Sequence, residues 1–209
     1  MASERLFSRS FAAAAMAAAV AVAPVALAGQ AQSAKTLYES GKNAELLQAV
    51  EQQRESGGAP PESVYLAAQA QIRTGNAEGA RNELAYLRDV GDRAWQLIAQ
   101  AETARVNDDN AAAREAAEQA VEVNPTHPWT HYELGLVASD MNDYQTAARE
   151  FERTTQLRPD LAYAHYYAGQ AYQRIQQLGK TAEHFQAFLK LAPQAPERVA
   201  VQAVLRTLK

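Results

Sequence analysis

The 209-residue chain contains no cysteine, which excludes disulfide bonds and lipid attachment through a cysteine. Its 20 basic and 24 acidic residues give a net charge of −4 at pH 7, and no run of basic residues occurs. Because nucleic-acid binding depends on clustered lysine and arginine, we expect no nucleic-acid partner.

The first 28 residues have the pattern of an export signal. They begin with two arginines, continue as an apolar run to Leu27 and end with the small residues Ala26 and Ala28. The run is alanine-rich and interrupted by Pro24, which favours a cleaved signal over a retained membrane helix. Cleavage after Ala28 predicts a soluble periplasmic protein of about 180 residues with no stable membrane anchor.

The rest of the chain has a helical pattern. Apolar residues recur at three- and four-residue spacing and strand-like alternation is absent, which predicts an all-α fold. Residues 29–60 are weakly patterned and are predicted to form a degenerate helix pair, ending at the Gly- and Pro-rich turn 56–61. Clusters of Gly, Asn and Asp at 75–76, 107–109 and 142–143 predict turns between later helices.

Many residues also recur at an interval of 34. The recurring sets are Pro125, Pro159 and Pro193; Trp95, Trp129 and Tyr163; Ile98, Tyr132 and Tyr166; Gly135 and Gly169; and Phe151 and Phe185. A period of this length indicates a stack of small helical units, each of which buries its apolar face only against its neighbours. Such stacks present an extended surface and rarely perform chemistry.

The unit from residue 128 to 160 resembles a tetratricopeptide repeat (TPR). The matching residues are Leu134, Gly135, the turn 142–144, Ala147, Phe151 and Pro159. The resemblance implies a right-handed α-α superhelix of about four helix–turn–helix units, spanning 61–93, 94–127, 128–161 and 162–193. Residues 194–209 are then expected to form a C-terminal capping helix, since Val201, Val204, Leu205 and Leu208 share one face.

In the TPR family the first helix of each unit lines the concave face, and this implies a partner-binding groove. The resemblance assigns it an aromatic ladder and a polar rim. The ladder is Tyr65, Trp95, Ile98, Trp129, Tyr132, Tyr163 and Tyr166, and the rim is Gln69, Arg73, Glu102, Arg105, Asp140, Gln170 and Arg174. Alternatively, these aromatics pack between neighbouring helices. The lysines and asparagines with which TPR domains grip a chaperone tail are not at these places.

No catalytic, metal or cofactor site is expected. His131 and His165 are one repeat apart and cannot share a metal without further ligands, and His184 is expected on the solvated convex face. The aspartates in the turns lack the spacing of a calcium loop and are interpreted as helix-start residues. No nucleophile elbow or phosphate-binding glycine loop occurs, so an enzyme is not expected.

These features predict a periplasmic adaptor that binds an extended or helical protein segment. The resemblance to exported bacterial TPR proteins implies a role in cell-envelope assembly or secretion. Two alternatives remain open. One is glycan binding in polysaccharide export, because aromatic faces also stack on sugar rings. The other is self-assembly, in which residues 30–55 of a second copy enter the groove.

Overall fold

The computed structural model of the chain describes residues 34–208; the predicted export signal, residues 1–28, lies outside them. Helical residues 34–39 form α1. The others are α2 (Asn43–Glu55), α3 (Pro61–Arg73), α4 (Ala77–Val90), α5 (Arg93–Val106), α6 (Asn110–Val123), α7 (Pro128–Asp140), α8 (Tyr144–Leu157), α9 (Ala162–Arg174), α10 (Leu178–Leu191) and α11 (Arg198–Thr207). No strand occurs between residues 34 and 208, and none of these helices could span a membrane.

The helices pack as consecutive pairs. Helices α3 and α4, α5 and α6, α7 and α8, and α9 and α10 are the closely packed partners, and each pair also packs on the next. The first helices of successive pairs contact one another, so α3, α5, α7 and α9 form an inner layer and the second helices an outer one. The prediction of an all-α superhelix of helix pairs is confirmed.

Each pair is joined by the same tight turn. Its central residue lies in the left-handed region in all four units, at Gly75, Asp108, Asn142 and Gln176, with φ between 59° and 76°. Glycine adopts this conformation without strain, and Asn and Asp tolerate it better than other residues. The turn clusters recognised in the sequence therefore sit where the backbone reverses between two helices.

Two glycines set the distance between paired helices. A Cβ atom on Gly135 would lie 2.7 Å from the ring of Phe151, and one on Gly169 would lie 2.5 Å from the ring of Phe185. The helices therefore approach until the phenylalanine ring fills the space above the glycine. At the equivalent place the second unit has alanine on both helices, buried in a separate small cluster.

Helix α11 covers the C-terminal end of the stack. Val201 is buried, and Val204 and Leu205 pack on the main core, whereas Arg198 and Arg206 are exposed. This is the amphipathic arrangement expected of a capping helix, because the apolar face of the last repeat would otherwise meet water.

Candidate functional site

The aromatic ladder forms one packed cluster on the inner layer. The Tyr65 ring centroid lies 5.1 Å from that of Trp129 and 5.8 Å from that of Trp95, and Trp129 lies 5.1 Å from Tyr132. These contacts join α3, α5 and α7. Edge-to-face packing of this kind stabilises a pair beyond the area it buries.

An open aromatic groove was expected along this ladder, and six of its seven side chains are instead buried. They are Tyr65, Trp95, Ile98, Trp129, Tyr132 and Tyr163, of which Trp95, at 8%, is the most exposed. The inner layer curves tightly enough for α3 to reach α7 and α9, so the rings meet each other rather than solvent. Only Tyr166 is partly open.

A buried polar layer lies beside the rings. The Tyr65 hydroxyl donates to Glu133 Oε2 at 2.6 Å and accepts from Gln69 Nε2 at 2.9 Å. Burial, with the neighbouring Glu102, raises the pKa of the Glu133 carboxyl well above its usual range. Sequence reasoning missed Glu133, since a glutamate within a helix gives no sign of whether its side chain is buried.

Arg105 balances the acidic side chains of this layer. Its Nη1 donates to Glu102 Oε2 at 2.7 Å, and its Nε donates to Asp140 Oδ2 at 2.7 Å. Burial by itself would lower the pKa of Arg105, but Glu102, Glu133 and Asp140 raise it well above its usual value. Arg105 therefore stays charged and orients the polar wall of the inner face.

A second cluster joins the two ends of the stack. It consists of Tyr38, Arg73, Tyr163 and Glu197, and is called here the closure cluster. The Tyr163 hydroxyl donates to Glu197 Oε2 at 2.7 Å, and Arg73 Nη2 donates to Glu197 Oε1 at 3.1 Å. The ring of Tyr38, from α1, lies 5.0 Å from that of Tyr163. The repeat pattern could not reveal Tyr38 or Glu197, because both lie outside the periodic units.

The inner face opens into a cavity of about 610 Å³ at the C-terminal ends of α5, α7 and α9. Its lining residues are Arg105, Leu136, Ser139, Asp140, Tyr144, Tyr167, Gln170, Ala171, Gln173 and Arg174. Four members of the predicted polar rim, Arg105, Asp140, Gln170 and Arg174, meet there.

The wall of this cavity suits hydrogen bonding to a polar chain. Asp140 has a side chain 44% exposed, and Gln170 and Arg174 are exposed, so acceptors and donors face the open space. Gln170 Nε2 donates to the Tyr166 hydroxyl at 2.8 Å, and the Arg174 guanidinium carbon lies 5.4 Å above the Tyr144 ring. Both signs of charge and the rings of Tyr144 and Tyr167 therefore line the same open space.

The prediction that His184 is solvated is wrong. Its ring is buried, stacks on Tyr172 at 5.5 Å and brings Nδ1 to 3.1 Å from His165 Nδ1. The ring turns inward because Tyr172, on the facing helix, offers an aromatic surface. In the described part of the chain, no three His, Asp or Glu side chains are placed to share a metal ion.

Comparison with protein families finds a match to a single repeat. Residues 116–149 match the family model described as "Tetratricopeptide repeat", and no curated protein sequence matches the chain. The matched stretch spans parts of α6 and α8 and the whole of α7.

Several solved structures resemble the chain in fold. TTC0263, a thermophilic TPR protein in Thermus thermophilus, is similar with a TM-score of 0.60 and 18% identity, over 87% of this chain and 98% of that one. A MamA RS-1 ArsTM double mutant has a TM-score of 0.51 and 23% identity, over 71% and 82%. The first TPR of Spaghetti (RPAP3), bound to an HSP90 peptide, has a TM-score of 0.50 and 16% identity, over 56% and 92%. Residues 116–149 thus match a tetratricopeptide repeat, and the stacked helix pairs share the fold of these tetratricopeptide-repeat proteins.

Proposed function

We propose that the chain is a non-catalytic scaffold that binds a segment of another protein at the cavity between α5, α7 and α9. The observation that carries this proposal is the meeting of Arg105, Asp140, Gln170 and Arg174 in that cavity. The solved TPR of Spaghetti, which holds a peptide, supports binding of a protein segment by this fold.

The character of the cavity favours a protein segment over a glycan. Its donors and acceptors can pair with the amide groups of an extended or helical backbone, and Tyr144 and Tyr167 in its lining offer apolar contact. Sugar stacking needs an open aromatic face, whereas Trp95 and Trp129 are both buried.

We further propose that the protein acts in the bacterial periplasm, in cell-envelope assembly or secretion. The export pattern of residues 1–28, with cleavage after Ala28, supports this location. Detection of the mature N-terminus in a periplasmic fraction, by mass spectrometry, tests it; an intact N-terminus in the cytoplasm would contradict it.

Site-specific photo-crosslinking tests the binding site. A photo-reactive amino acid is placed at Gln170, in the cavity, and in a matched variant at Gln186, another exposed glutamine, on α10 of the outer layer. The full chain is then irradiated in envelope extract. We expect a protein crosslinked from position 170 and absent from position 186.

A second variant tests whether the charged residues of the cavity wall contribute to binding of the partner. Arg174→Ala with Asp140→Ala removes one exposed charge of each sign, and we expect the crosslink at position 170 to weaken at least about ten-fold. Alanine at Trp129 or Tyr132 would not serve, since both are buried and their loss would destabilise the fold. Equal crosslinking from positions 170 and 186 would overturn the proposed site.

A further inference from the structure

A second cavity lies beside the one assigned above to a partner. It has a volume of about 370 Å³ and lies between α8 and the turn that joins α9 to α10. Its lining residues are Gln145, Ala148, Arg149, Glu152, Tyr172, Ile175 and Gln177. Because α8 belongs to the outer layer, this cavity is called here the outer groove, and the cavity between α5, α7 and α9 is called the inner cavity.

The two cavities meet at a lip formed by Tyr144 and Arg174. Both residues line the inner cavity, and the residues that follow them in the chain, Gln145 and Ile175, line the outer groove. Consecutive Cα atoms are about 3.8 Å apart, so the two cavities are neighbours at this point. The Arg174 guanidinium carbon lies 5.4 Å from the centre of the Tyr144 ring, so the two side chains of the lip contact each other.

Exposed glutamines lie on both sides of the lip. Gln170 and Gln173 line the inner cavity, and Gln145 and Gln177 line the outer groove. The side-chain amides of Gln145, Gln173 and Gln177 make no hydrogen bond to any other residue between 34 and 208. Each amide offers a donor and an acceptor, which is also what each peptide unit of a partner chain offers.

This arrangement favours an extended segment over a helical one. In an α-helix the backbone N–H and C=O groups pair with each other, whereas in an extended segment they are free to bond a surface. The acidic side chains of the two cavities are already paired, Asp140 with Arg105 and Glu152 with Lys180. The free amides are therefore suited to bind the backbone of a segment rather than one particular charge on it.

The turn beside the lip carries a further glutamine, at a strained position. Gln176 has a φ of 60°, whereas the equivalent residues of the other three units are Gly75, Asp108 and Asn142. Glutamine adopts this left-handed conformation at a cost that glycine avoids and that Asn and Asp reduce. Gln176 is exposed, so no packing within the chain compensates for the strain. Strained residues concentrate at functional sites, and this one adds an amide next to the lip.

We propose that the partner segment is extended and crosses the lip, so that one part lies in the inner cavity and the next part in the outer groove. The glutamine amides on both sides bind its backbone, and Tyr144 and Ile175 contact its side chains. This inference rests on the proposed function. It adds the conformation of the partner segment and a second half of its binding site.

Crosslinks from the two sides of the lip test the proposal. The photo-reactive amino acid is placed in the full chain at Gln170 or, in a second protein, at Gln145 of the outer groove. Gln156, an exposed glutamine farther along α8 and outside the groove, is the matched control position. In envelope extract we expect the same partner protein to crosslink from positions 170 and 145, and not from position 156.

Mass spectrometry of the crosslinked peptides then measures the conformation of the partner segment. Taking one helix diameter, about 10 Å, as the separation of the two positions, an extended segment at about 3.3 Å per residue places the two crosslinked residues about three to five apart. A helix rises only about 1.5 Å per residue and would place them about seven or more apart. The larger spacing would overturn an extended segment.

A variant of the outer groove tests whether this half contributes to binding. Arg149→Ala with Gln177→Ala removes two exposed side chains of the groove and leaves the inner cavity unchanged, so the crosslink at position 170 should weaken about five-fold or more. Arg153→Ala removes an exposed arginine of α8 outside the groove, and should leave that crosslink unchanged. Circular dichroism establishes that the variants are equally helical.

The outcomes separate this inference from the proposed function. A partner that crosslinks from position 170 but not from 145, and is retained by the groove variant, would leave the proposed function intact and overturn the crossing of the lip. Equal crosslinking from positions 145 and 156 would also overturn it. Absence of any crosslink at position 170 would overturn the proposed function itself.

Discussion

The third unit (α7 and α8) and the fourth (α9 and α10) share their backbone design and differ in one buried pair. In the third, His131 Nδ1 lies 2.8 Å from Glu150 Oε2, and Nε2 lies 2.9 Å from the Pro125 carbonyl oxygen. The fourth keeps the equivalent carbonyl contact but has a histidine where Glu150 would be. Equivalent positions therefore hold a histidine and a carboxylate in the third unit, and two histidines in the fourth.

The two pairs stabilise different charge states, although each lowers a pKa. Burial alone would raise the pKa of Glu150, but the hydrogen bond from His131 lowers it, so the third unit favours the charged carboxylate. Burial lowers the pKa of His165, and burial together with His165 lowers that of His184 to about 4. Both units therefore lose stability as the pH falls, and the partner residue decides whether the stabilised form is a charged carboxylate or a neutral imidazole.

The largest effect is expected from removing the phenylalanine that each unit has at the same position, Phe151 or Phe185. Phe151→Ala should reduce the free energy of unfolding by about 3–5 kcal/mol, because a large ring is lost from a close-packed site. Phe185→Ala should reduce it less, since Phe151 also stacks on Tyr167 at 5.5 Å and packs on Tyr132 at 5.8 Å. Urea unfolding followed by circular dichroism measures both. A greater loss for Phe185 would show that the fourth unit is the more tightly packed.

The next largest test exploits the histidine pair. Below about pH 6.5 His165 and His184 become protonated in the unfolded chain, whereas their lowered pKa values keep them neutral in the folded one. The free energy of unfolding is therefore unaffected by these two groups above that pH. It falls as the pH drops towards 4, by up to about 1.4 kcal/mol per pH unit for each group. We expect the unfolding free energy to show this decline between pH 6.5 and 4.

His184→Glu gives the fourth unit the pair found in the third. The decline should then be substantially flatter, because a protonated His165 gains a carboxylate partner. Burial lowers the pKa of His127 in the wild type as well, and that contribution stays in the variant as an internal reference. An unchanged pH dependence in the variant would show that the histidine pair does not cause the loss of stability in acid.

A smaller effect is expected when the close helix crossing is filled. Gly135→Ala places a methyl group against the Phe151 ring and should destabilise the protein by about 1–3 kcal/mol. In a Phe151→Ala background the same change should be neutral or stabilising, since the methyl enters a cavity and alanine favours helix. That double variant reproduces the Ala101 and Ala117 arrangement of the second unit. Additive effects in chemical denaturation would argue against direct contact.

The smallest effect concerns the start of each second helix. Asp143 caps α8 by accepting the Thr146 N–H at 3.2 Å, whereas the equivalent Gln177 makes no side-chain cap on α10. The backbone angles at the two positions are nearly the same. Gln177→Asp should therefore stabilise the protein by about 1 kcal/mol and Asp143→Ala destabilise it by a similar amount, measured by thermal unfolding. A destabilising Gln177→Asp would mean that the two helix starts are not interchangeable.

The repeat period made the architecture predictable from sequence. Glycines 135 and 169, the turn residues Asp108 and Asn142, and the apolar face of α11 each satisfy a requirement that is local or one repeat long. The candidate site was predictable only in part. Arg105, Asp140, Gln170 and Arg174 meet as the family pattern implies, but the same pattern could not say that the neighbouring rings are buried.

The amino-acid sequence by itself determined which residues form helices, where each pair turns and which face of each helix is apolar, because spacing and turn chemistry act over a few residues. Only the tertiary structure decided how tightly the stack curves. That curvature brings Tyr65 to Trp129 and joins Tyr38, Arg73 and Glu197 in the closure cluster. It also leaves a polar cavity open between α5, α7 and α9. The curvature is the sum of small rotations between successive units, so the residues of a single repeat do not determine it.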